Sequence, residues 1–600
     1  MAKLFQPLGI TAKGNILPLE ETKLFLDENK RIDSERIQPL IVEAEKLLEK
    51  PIKVLTASLY REFHKSGDRG KYESALYQRR QDLLWLFLAE YYERKGRFTE
   101  KIADFVWAIM EESSWEQPAS YQNNNAYGRE YTLPASFGPD RLHGIALVSG
   151  DTAGLLALVY YYLKDEMDAI SPVIREKIKY SIHERITIPF LHCTFWWEGN
   201  GQKTNNWAPW IASNVLTAVA LTEENTYVRE RVLAKALNVI DAFVNSYGID
   251  GSCDEGTTYW SHAGASLFDC LEILYDISGG KINVFDQEIV KKIGEYLVKM
   301  NIDGRKYANF ADASSTMGYN GHFLYRYGRK CGSDYLKSFG KMQADLGEYL
   351  PDFRHPTRLF RNYMENAKDC GTLKIPTNIY LRDIKVMVRR EYEKTDTGLY
   401  LAIKGGHNGE SHNHNDVGSF VIYKDAKPVF IDLGAGEYTR DTFSANRYKL
   451  LQNQSHYHNL PAFGGVGQHE GAQFASSEEV YNEAEGSLTL ELKNAYEKDA
   501  GVLSYKRYAK LEDGEITFIE TVKLEEEKEI DFRYILPEKP TVSSDSSILL
   551  GNSAVMTFDP SLKAEVEEFE ATRLWGWKGT LYRLHLKTTA KECKLKITVK

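Results

Sequence analysis

The sequence predicts a multidomain α+β chain. Helical hairpins wound into an N-terminal incomplete (α/α) toroid are followed by a C-terminal antiparallel β-sandwich. Three observations carry this. Apolar residues recur at helical spacing through the first ~370 residues. From about residue 380 the period shortens to strand-like alternation with turn residues between the runs. At ~100–200 residues per domain, the 600-residue chain has room for two to four domains. A helical solenoid would show the same periodicity as a toroid, and periodicity alone does not separate them.

The first helix is read over Glu35–Lys50, where Ile37, Leu40, Ile41, Ala44, Leu47 and Leu48 fall on one face. Arg80–Lys95 repeats the pattern with Leu83, Leu84, Leu86, Phe87 and Tyr91. Further helices are expected over Thr99–Glu112, Leu142–Leu163, Pro172–Ile186, Ile211–Thr222, Val228–Tyr247, Ala263–Ile277, Gln287–Lys299 and Ser333–Leu346, many bounded by Gly, Asn or Pro. Strands are expected over Lys385–Tyr392, Leu399–Lys404, Ser419–Tyr423, Pro428–Leu433, Leu488–Leu492, Ser504–Lys510, Glu515–Val522, Ile530–Leu536 and Leu581–Lys587. Asp513-Gly514 marks a hairpin turn between two of them. Helices before strands argue for two domains, 1–375 and 376–600, with the boundary near Asp369–Pro376.

Composition excludes several classes. Hydrophobic residues make up 43% and charged residues 27%, which is ordinary for a globular protein and excludes a disordered or collagen-like chain. The 85 acidic against 75 basic residues, a net charge of −10, argue against nucleic acid as a partner. No run approaches ~18 apolar residues, so no membrane span is expected. Met1-Ala2-Lys3-Leu4-Phe5-Gln6-Pro7 opens no signal segment, so the chain reads as cytoplasmic as given; one trimmed of its signal would be secreted or periplasmic and read the same. The six cysteines form no CxxC pair, so neither a thiolate metal site nor a dithiol motif is indicated, and scattered reduced core cysteines are expected.

Histidine is unevenly spread. Six of 14 fall between His407 and His469, where composition alone would put roughly one or two. If 412–414 is extended, His412 and His414 share one face, because side chains alternate along a strand. His456 and His458 repeat the spacing, and Asp432 lies in the intervening Pro428-Val429-Phe430-Ile431-Asp432-Leu433-Gly434. Two imidazoles and a carboxylate from separate segments suit Zn²⁺; the ordinary alternative is a polar loop with hydrogen-bonded histidines. Two loops in the helical half are packed with polar and aromatic groups: Lys203-Thr204-Asn205-Asn206-Trp207-Ala208-Pro209-Trp210, and Gly251-Ser252-Cys253-Asp254-Glu255-Gly256-Thr257-Thr258-Tyr259-Trp260. A Tyr there could move protons, and an Asn amide could hold a carboxylate; equally, Asn206 could cap a helix and the aromatics could fill the core.

Together these segments resemble the heparinase II/III-like family of polysaccharide lyases. The match lies in Gly405-Gly406-His407 leading to His412-Asn413-His414-Asn415-Asp416-Val417-Gly418-Ser419-Phe420. It continues in Asp432-Leu433-Gly434-Ala435-Gly436-Glu437-Tyr438 with Ser455-His456-Tyr457-His458-Asn459, and includes the tyrosine loop Asp254–Trp260. It spans roughly residues 100–470 and agrees with a toroid followed by a sandwich; the last ~130 residues carry no placeable motif. Such enzymes cleave uronic-acid glycans by β-elimination. The resemblance implies that Asn206 holds the uronate carboxylate. Tyr259 is then the acid that protonates the leaving oxygen and also a base for the C5 proton. His412 becomes a second base or a charge stabiliser, and Tyr438 a further active-site candidate. It makes His414, Asp432 and His458 the ligands of one structural zinc, with His456 the rival to His458. Several relatives carry a His directly after the matching Asn; Trp207 stands there instead, so Tyr259 or His412 must do more, and the chain is more similar to the heparinase III group than to heparinase II.

The implied partner is an acidic glycan or oligosaccharide, and a homodimer is the base-rate expectation. Arg129, Arg141, Arg440 and Arg447 sit near the motifs, where a solvated surface charge is the ordinary reading, and Trp115, Trp196 and Trp197 are candidates for stacking sugars. Two other functions compete. One is an inverting hydrolase using two of Glu198, Asp254 and Glu255, with its carboxylates ~6.5–9.5 Å apart. The other is a non-catalytic glycan binder.

Overall fold

The computed structural model describes every residue except 1–3, 26–31, 125–131, 137–141, 348–349, 351, 545 and 552, together with all side chains except those of 122–124, 440 and 443. The chain forms two compact units: Met1–Tyr247, Ser261–Lys291 and Asn320–Asp369 make the first, and Gly248–Trp260, Lys292–Tyr319 and Cys370–Lys600 the second. The second therefore takes in two segments from within residues 1–375 as well as the C-terminal stretch. Among the described residues no helix is long and apolar enough to cross a membrane.

The first unit is helical. Its spine is Trp207–Thr222, in which every residue after Trp207 is buried, as expected for a helix that is apolar all round. It packs against Leu147–Tyr162, Thr226–Ser246 and Gly264–Ile277. Side-chain caps fix several starts: Asp33 accepts from the backbone of Glu35 and Arg36, and Asn225 from that of Tyr227 and Val228. Besides several helices of seven residues or fewer, two longer ones among the described residues escape the periodicity reading, Gly321–Cys331 and Pro356–Met364. Their inward faces carry arginines. Arg358, Arg326 and Arg361 pair with Asp269, Glu272 and Asp276 of Gly264–Ile277, all of them buried. Both helices are strongly amphipathic, so their period was present in the sequence.

Asp151 is another buried charge-bearing group. Its Oδ1 accepts from Trp210 Nε1 and Asn214 Nδ2 at 2.9 Å each and from the His355 backbone at 3.1 Å, while Oδ2 has no partner. Burial pushes its pKa up to about 7, against the pull of the Trp210 and His355 hydrogen bonds. The native state thus keeps a proton that the unfolded chain releases near pH ~4, so this group's contribution to stability falls by about 1.4 kcal/mol per pH unit between about 4 and about 7 and is flat above. Asp151→Asn is expected to remove that slope and to gain stability over the wild type at about pH 8 relative to about pH 5, read by urea denaturation; parallel curves for the two proteins would contradict it.

The second unit is built on two large antiparallel sheets face to face, accompanied by two two-stranded ribbons, Asn301–Asp303 with Lys306–Tyr307 and His407–Asn408 with Gly471–Ala475. One has five strands, Asn378–Leu381, Val386–Arg390, Leu399–Lys404, Phe420–Lys424 and Lys427–Phe430, in chain order. The other has ten and is built around the long strands Glu515–Leu536 and Gly579–Val599. A continuous core joins them: Leu401, Ile403, Phe420 and Ile422 of the first sheet with Tyr505, Phe518, Phe532 and Leu586 of the second. Asp513 and Gly514 both take positive φ and connect Val502–Glu512 to Glu515–Leu536 with Glu512 opposite Glu515, the tight hairpin expected. The runs 515–522 and 530–536, read as separate strands, are one; a register shift between Lys523 and Lys528 absorbs the charged stretch between them. Cys253, Cys270 and Cys331 are buried thiols, Cys193 and Cys593 are half-buried, and Cys370 is exposed; none forms a disulfide.

Candidate functional site

All the groups of the main cluster belong to the second unit. The short helix Gly256–Trp260 presents Tyr259, and its start requires glycine: Gly256 has φ +87°, and a Cβ there would lie 2.7 Å from the Phe310 carbonyl. The segment 308–319 locks this loop from below. Thr258 Oγ1 accepts from the Ser314 backbone at 2.8 Å, and Tyr319 donates to the Thr257 carbonyl. The same segment meets the stretch after Phe430. Gly434, at φ +60°, would place a Cβ 2.0 Å from the Ala313 carbonyl, and Asn309 Nδ2 donates to the Asp432 carbonyl at 3.0 Å. These contacts put Asp312 at the centre.

His412 does not lie on a strand. It sits in a turn with φ +55°, a left-handed conformation that a residue with a Cβ adopts only where its surroundings impose it. The alternation argument for 412–414 therefore fails, yet both rings converge on Asp312. His412 Nδ1 is 2.8 Å from Oδ2, and His414 Nε2 is 3.0 Å from Oδ1. Tyr438 donates to Oδ2 at 3.1 Å, and Arg447 Nη2 does so at 3.0 Å. Burial would raise the Asp312 pKa, but the two histidine hydrogen bonds and the nearby Arg447 charge hold it well below the carboxylate range. The other His412 nitrogen, Nε2, faces Glu255 Oε2 at 3.4 Å. Burial pulls the His412 pKa down, but the Asp312 hydrogen bond and the Glu255 charge outweigh it, and the net shift is upward. The Tyr259 ring stacks on His412 at 4.2 Å between centroids, and its hydroxyl lies 2.6 Å from that of Tyr438. Burial and the nearby Asp312 charge push the Tyr438 phenol up, so it stays protonated.

Behind His414 is the metal group. His414, Asp432 and His458 each offer an atom within 4.8 Å of the others, and all three are buried. The supporting bonds point outward. Gly434 N donates to Asp432 Oδ1 at 2.8 Å, and His458 Nε2 donates to the Gln452 carbonyl at 3.0 Å, leaving Nδ1 2.9 Å from Asp432 Oδ2. His414 Nδ1 is buried with no hydrogen-bond partner. A bare imidazole nitrogen beside a second imidazole and a carboxylate is what a divalent cation would satisfy, so these residues fit a metal. His456 instead donates to the Gly465 carbonyl at 3.0 Å and takes no part.

The remaining sequence candidates lie elsewhere. Asn206 and Trp207 belong to the helical unit. Asn206 is buried at the start of Trp207–Thr222 but makes no side-chain cap; Asn205 Oδ1 accepts from the Trp207 backbone instead. Trp207 packs on the exposed Trp196 at 4.9 Å. Trp115 and Trp197 are core residues rather than sugar platforms, donating to the carbonyls of Ile109 and Ile145. Arg447 is no surface charge but a buried partner of Asp312, whereas Arg129, Arg141 and the Arg440 side chain lie outside the described residues. Glu198 is paired with Lys235 at 2.6 Å.

Two contributors carry no sequence signal. Asp312 sits in Ala311-Asp312-Ala313, a neighbourhood without pattern. The other is Arg573-Leu574-Trp575-Gly576-Trp577, from the stretch that has no motif. The Trp575 backbone donates to the Ala435 carbonyl at 2.9 Å, Trp577 Nε1 donates to the Asp432 carbonyl at 2.7 Å, and Trp575, 40% exposed, lies 5.2 Å from the Tyr438 ring.

The chain thus has the fold of an α/α toroid followed by an antiparallel β-sandwich, and its second unit sets a tyrosine–histidine cluster beside a two-histidine, one-carboxylate group. Residues 381–572 match the family model described as Heparinase II/III-like, C-terminal. Among solved structures, heparinase III is similar over 98% of this chain and 87% of its own, at 13% identity and a TM-score of 0.68. A heparinase III described as the BT4657 gene product is similar over 96% and 91%, at 13% identity and 0.61. Heparan sulfate lyase HepC from Pedobacter heparinus is similar over 94% and 87%, at 11% identity and 0.58. Among curated proteins no sequence matches.

Proposed function

We propose that the protein is a lyase that cleaves uronic-acid-containing glycans, of the glycosaminoglycan kind, by β-elimination. The observation that carries the reading is the Tyr259–Tyr438 hydroxyl pair at 2.6 Å, stacked against a histidine whose two nitrogens both face carboxylates. Elimination breaks the C5–H and C4–O bonds of a uronate, forms a C4–C5 double bond, and moves one proton from C5 to the departing oxygen. A phenol that can be stabilised with and without its proton suits that task. When Tyr438 donates to Asp312, its oxygen accepts from the Tyr259 hydroxyl. When Tyr438 turns its proton to Tyr259, it supports the Tyr259 phenolate. The same two hydroxyls thus serve proton uptake from C5 and proton delivery to the leaving oxygen.

His412, facing Asp312 on one side and Glu255 on the other, is best used as a donor at both nitrogens. It acts as the charge stabiliser for the enolate-like transition state rather than as a second base. The resemblance gives Asn206 the role of holding the uronate carboxylate, and that assignment rests on the resemblance alone. His414, Asp432 and His458 would hold the metal, which we take to be zinc from its two imidazoles and one carboxylate. It would neutralise the buried Asp432 and fix the loops that carry His412. The names of the similar structures, heparinase III and heparan sulfate lyase, suggest the glycan class. A hydrolase is less well supported, since of its candidate carboxylates Glu198 is paired with Lys235 at 2.6 Å and Glu255 faces His412 Nε2 at 3.4 Å.

Trp575, exposed beside Tyr438, is assigned to stack on a sugar ring. Trp575→Ala is expected to raise KM by up to about tenfold with kcat little changed, since aromatic stacking is worth about 0.5–1.5 kcal/mol; an unchanged KM would remove it from the site. The function itself is tested by ultraviolet absorbance against heparan sulfate, heparin, chondroitin, dermatan, hyaluronan, alginate and their oligosaccharides. A rising conjugated unsaturated-uronate signal on one of them supports elimination. A flat trace across all of them with zinc bound argues against it.

A further inference from the structure

We infer that Asp312 is a positioning residue that ties the metal group to the site histidine, so that the two are set as one unit. Its planar carboxylate has one oxygen on each side: Oδ1 accepts from His414 Nε2 at 3.0 Å, and Oδ2 accepts from His412 Nδ1 at 2.8 Å. The first bond fixes a tautomer. A His414 that donates from Nε2 carries its lone pair on Nδ1, the buried, unpartnered nitrogen on the side of Asp432 and His458. A carboxylate behind a metal-ligating imidazole is the arrangement that orients the ring and raises its basicity. The second bond fixes the other ring in the same way and holds His412 in its left-handed turn. Arg447 Nη2 and the Tyr438 hydroxyl clamp Oδ2, and Arg447 also donates to the Asn413 carbonyl between the two histidines, so the carboxylate cannot turn to serve one ring without leaving the other. Any shift of His414 on gaining or losing a cation is therefore passed through Asp312 to His412.

Asp312→Asn keeps the size of the side chain but replaces one acceptor oxygen by an N–H donor. One of the two histidine contacts then sets donor against donor. Zinc affinity, measured by competition with a chromophoric chelator, is expected to fall about 10–100-fold, the usual cost of losing such a supporting partner. With zinc saturating, kcat is expected to stay lowered by at least about tenfold while KM changes little; this arm rests on the proposed lyase activity, whereas the affinity arm does not. Unchanged zinc affinity would overturn the inference, as would full recovery of kcat at saturating zinc. If the variant does not fold, the wild type decides. Nuclear magnetic resonance of ¹⁵N-histidine-labelled protein is expected to show the His412 imidazole signals moving together with those of His414 as a chelator strips the metal. A His412 signal that stays in place while His414 shifts would overturn the coupling.

Discussion

Tyr259→Phe is expected to lower kcat by about 10²–10⁴-fold, the usual worth of a positioned acid–base group, with KM and stability nearly unchanged. The substitution removes one oxygen and leaves the ring. The ring's stacking on His412 at 4.2 Å survives, so the His412 turn keeps its support. What is lost is the hydroxyl 2.6 Å from Tyr438, the atom through which the proton enters and leaves. Tyr438→Phe should cost less in turnover, because it removes the partner that stabilises the Tyr259 phenolate and not the group that touches the substrate. Steady-state kinetics on the two variants, with circular dichroism to confirm the fold, make the comparison. A Tyr259→Phe protein with full turnover would show that the proton goes elsewhere.

His458→Ala is expected to destabilise the second unit by about 3–5 kcal/mol and to abolish stoichiometric metal binding, because it strands the buried Asp432 carboxylate without its 2.9 Å partner. Chelation of the wild type should act in the same direction, lowering the calorimetric unfolding temperature and activity together, with both restored by zinc. Metal analysis of the purified protein and scanning calorimetry with and without chelator check this. Protein that binds no metal, with an unfolding temperature indifferent to both chelator and zinc, would contradict the metal reading. His456→Ala, by contrast, should leave metal binding intact, since His456 donates to the Gly465 carbonyl and not to the group.

Much of this site was legible because its chemistry sits in dense local patterns. The histidines between His407 and His469 flank Asp432, and the tyrosine segment lies in a run of small and polar residues that reads as a loop, of which Gly256–Trp260 forms a short helix. Alternation puts His412 and His414 on one face only if 412–414 is extended; the left-handed turn that brings both rings to one carboxylate depends on tertiary contacts. Asp312 was silent for the same reason. It is held by the approach of 308–319 to Thr258, Asp432 and Ala435, none of which is near it in sequence. The helix and strand lengths were legible wherever burial is apolar. They were not where a charged stretch bulges within one strand, as between Lys523 and Lys528.

The most direct measurement of the central claim is a mass balance. A defined uronate oligosaccharide from the glycan class that gives an ultraviolet signal is incubated with the protein, and the products are weighed by mass spectrometry. Elimination predicts products whose masses sum to that of the substrate, with the unsaturated uronate at the new non-reducing end. Products whose masses sum to the substrate plus one water would contradict it and assign the site to hydrolysis.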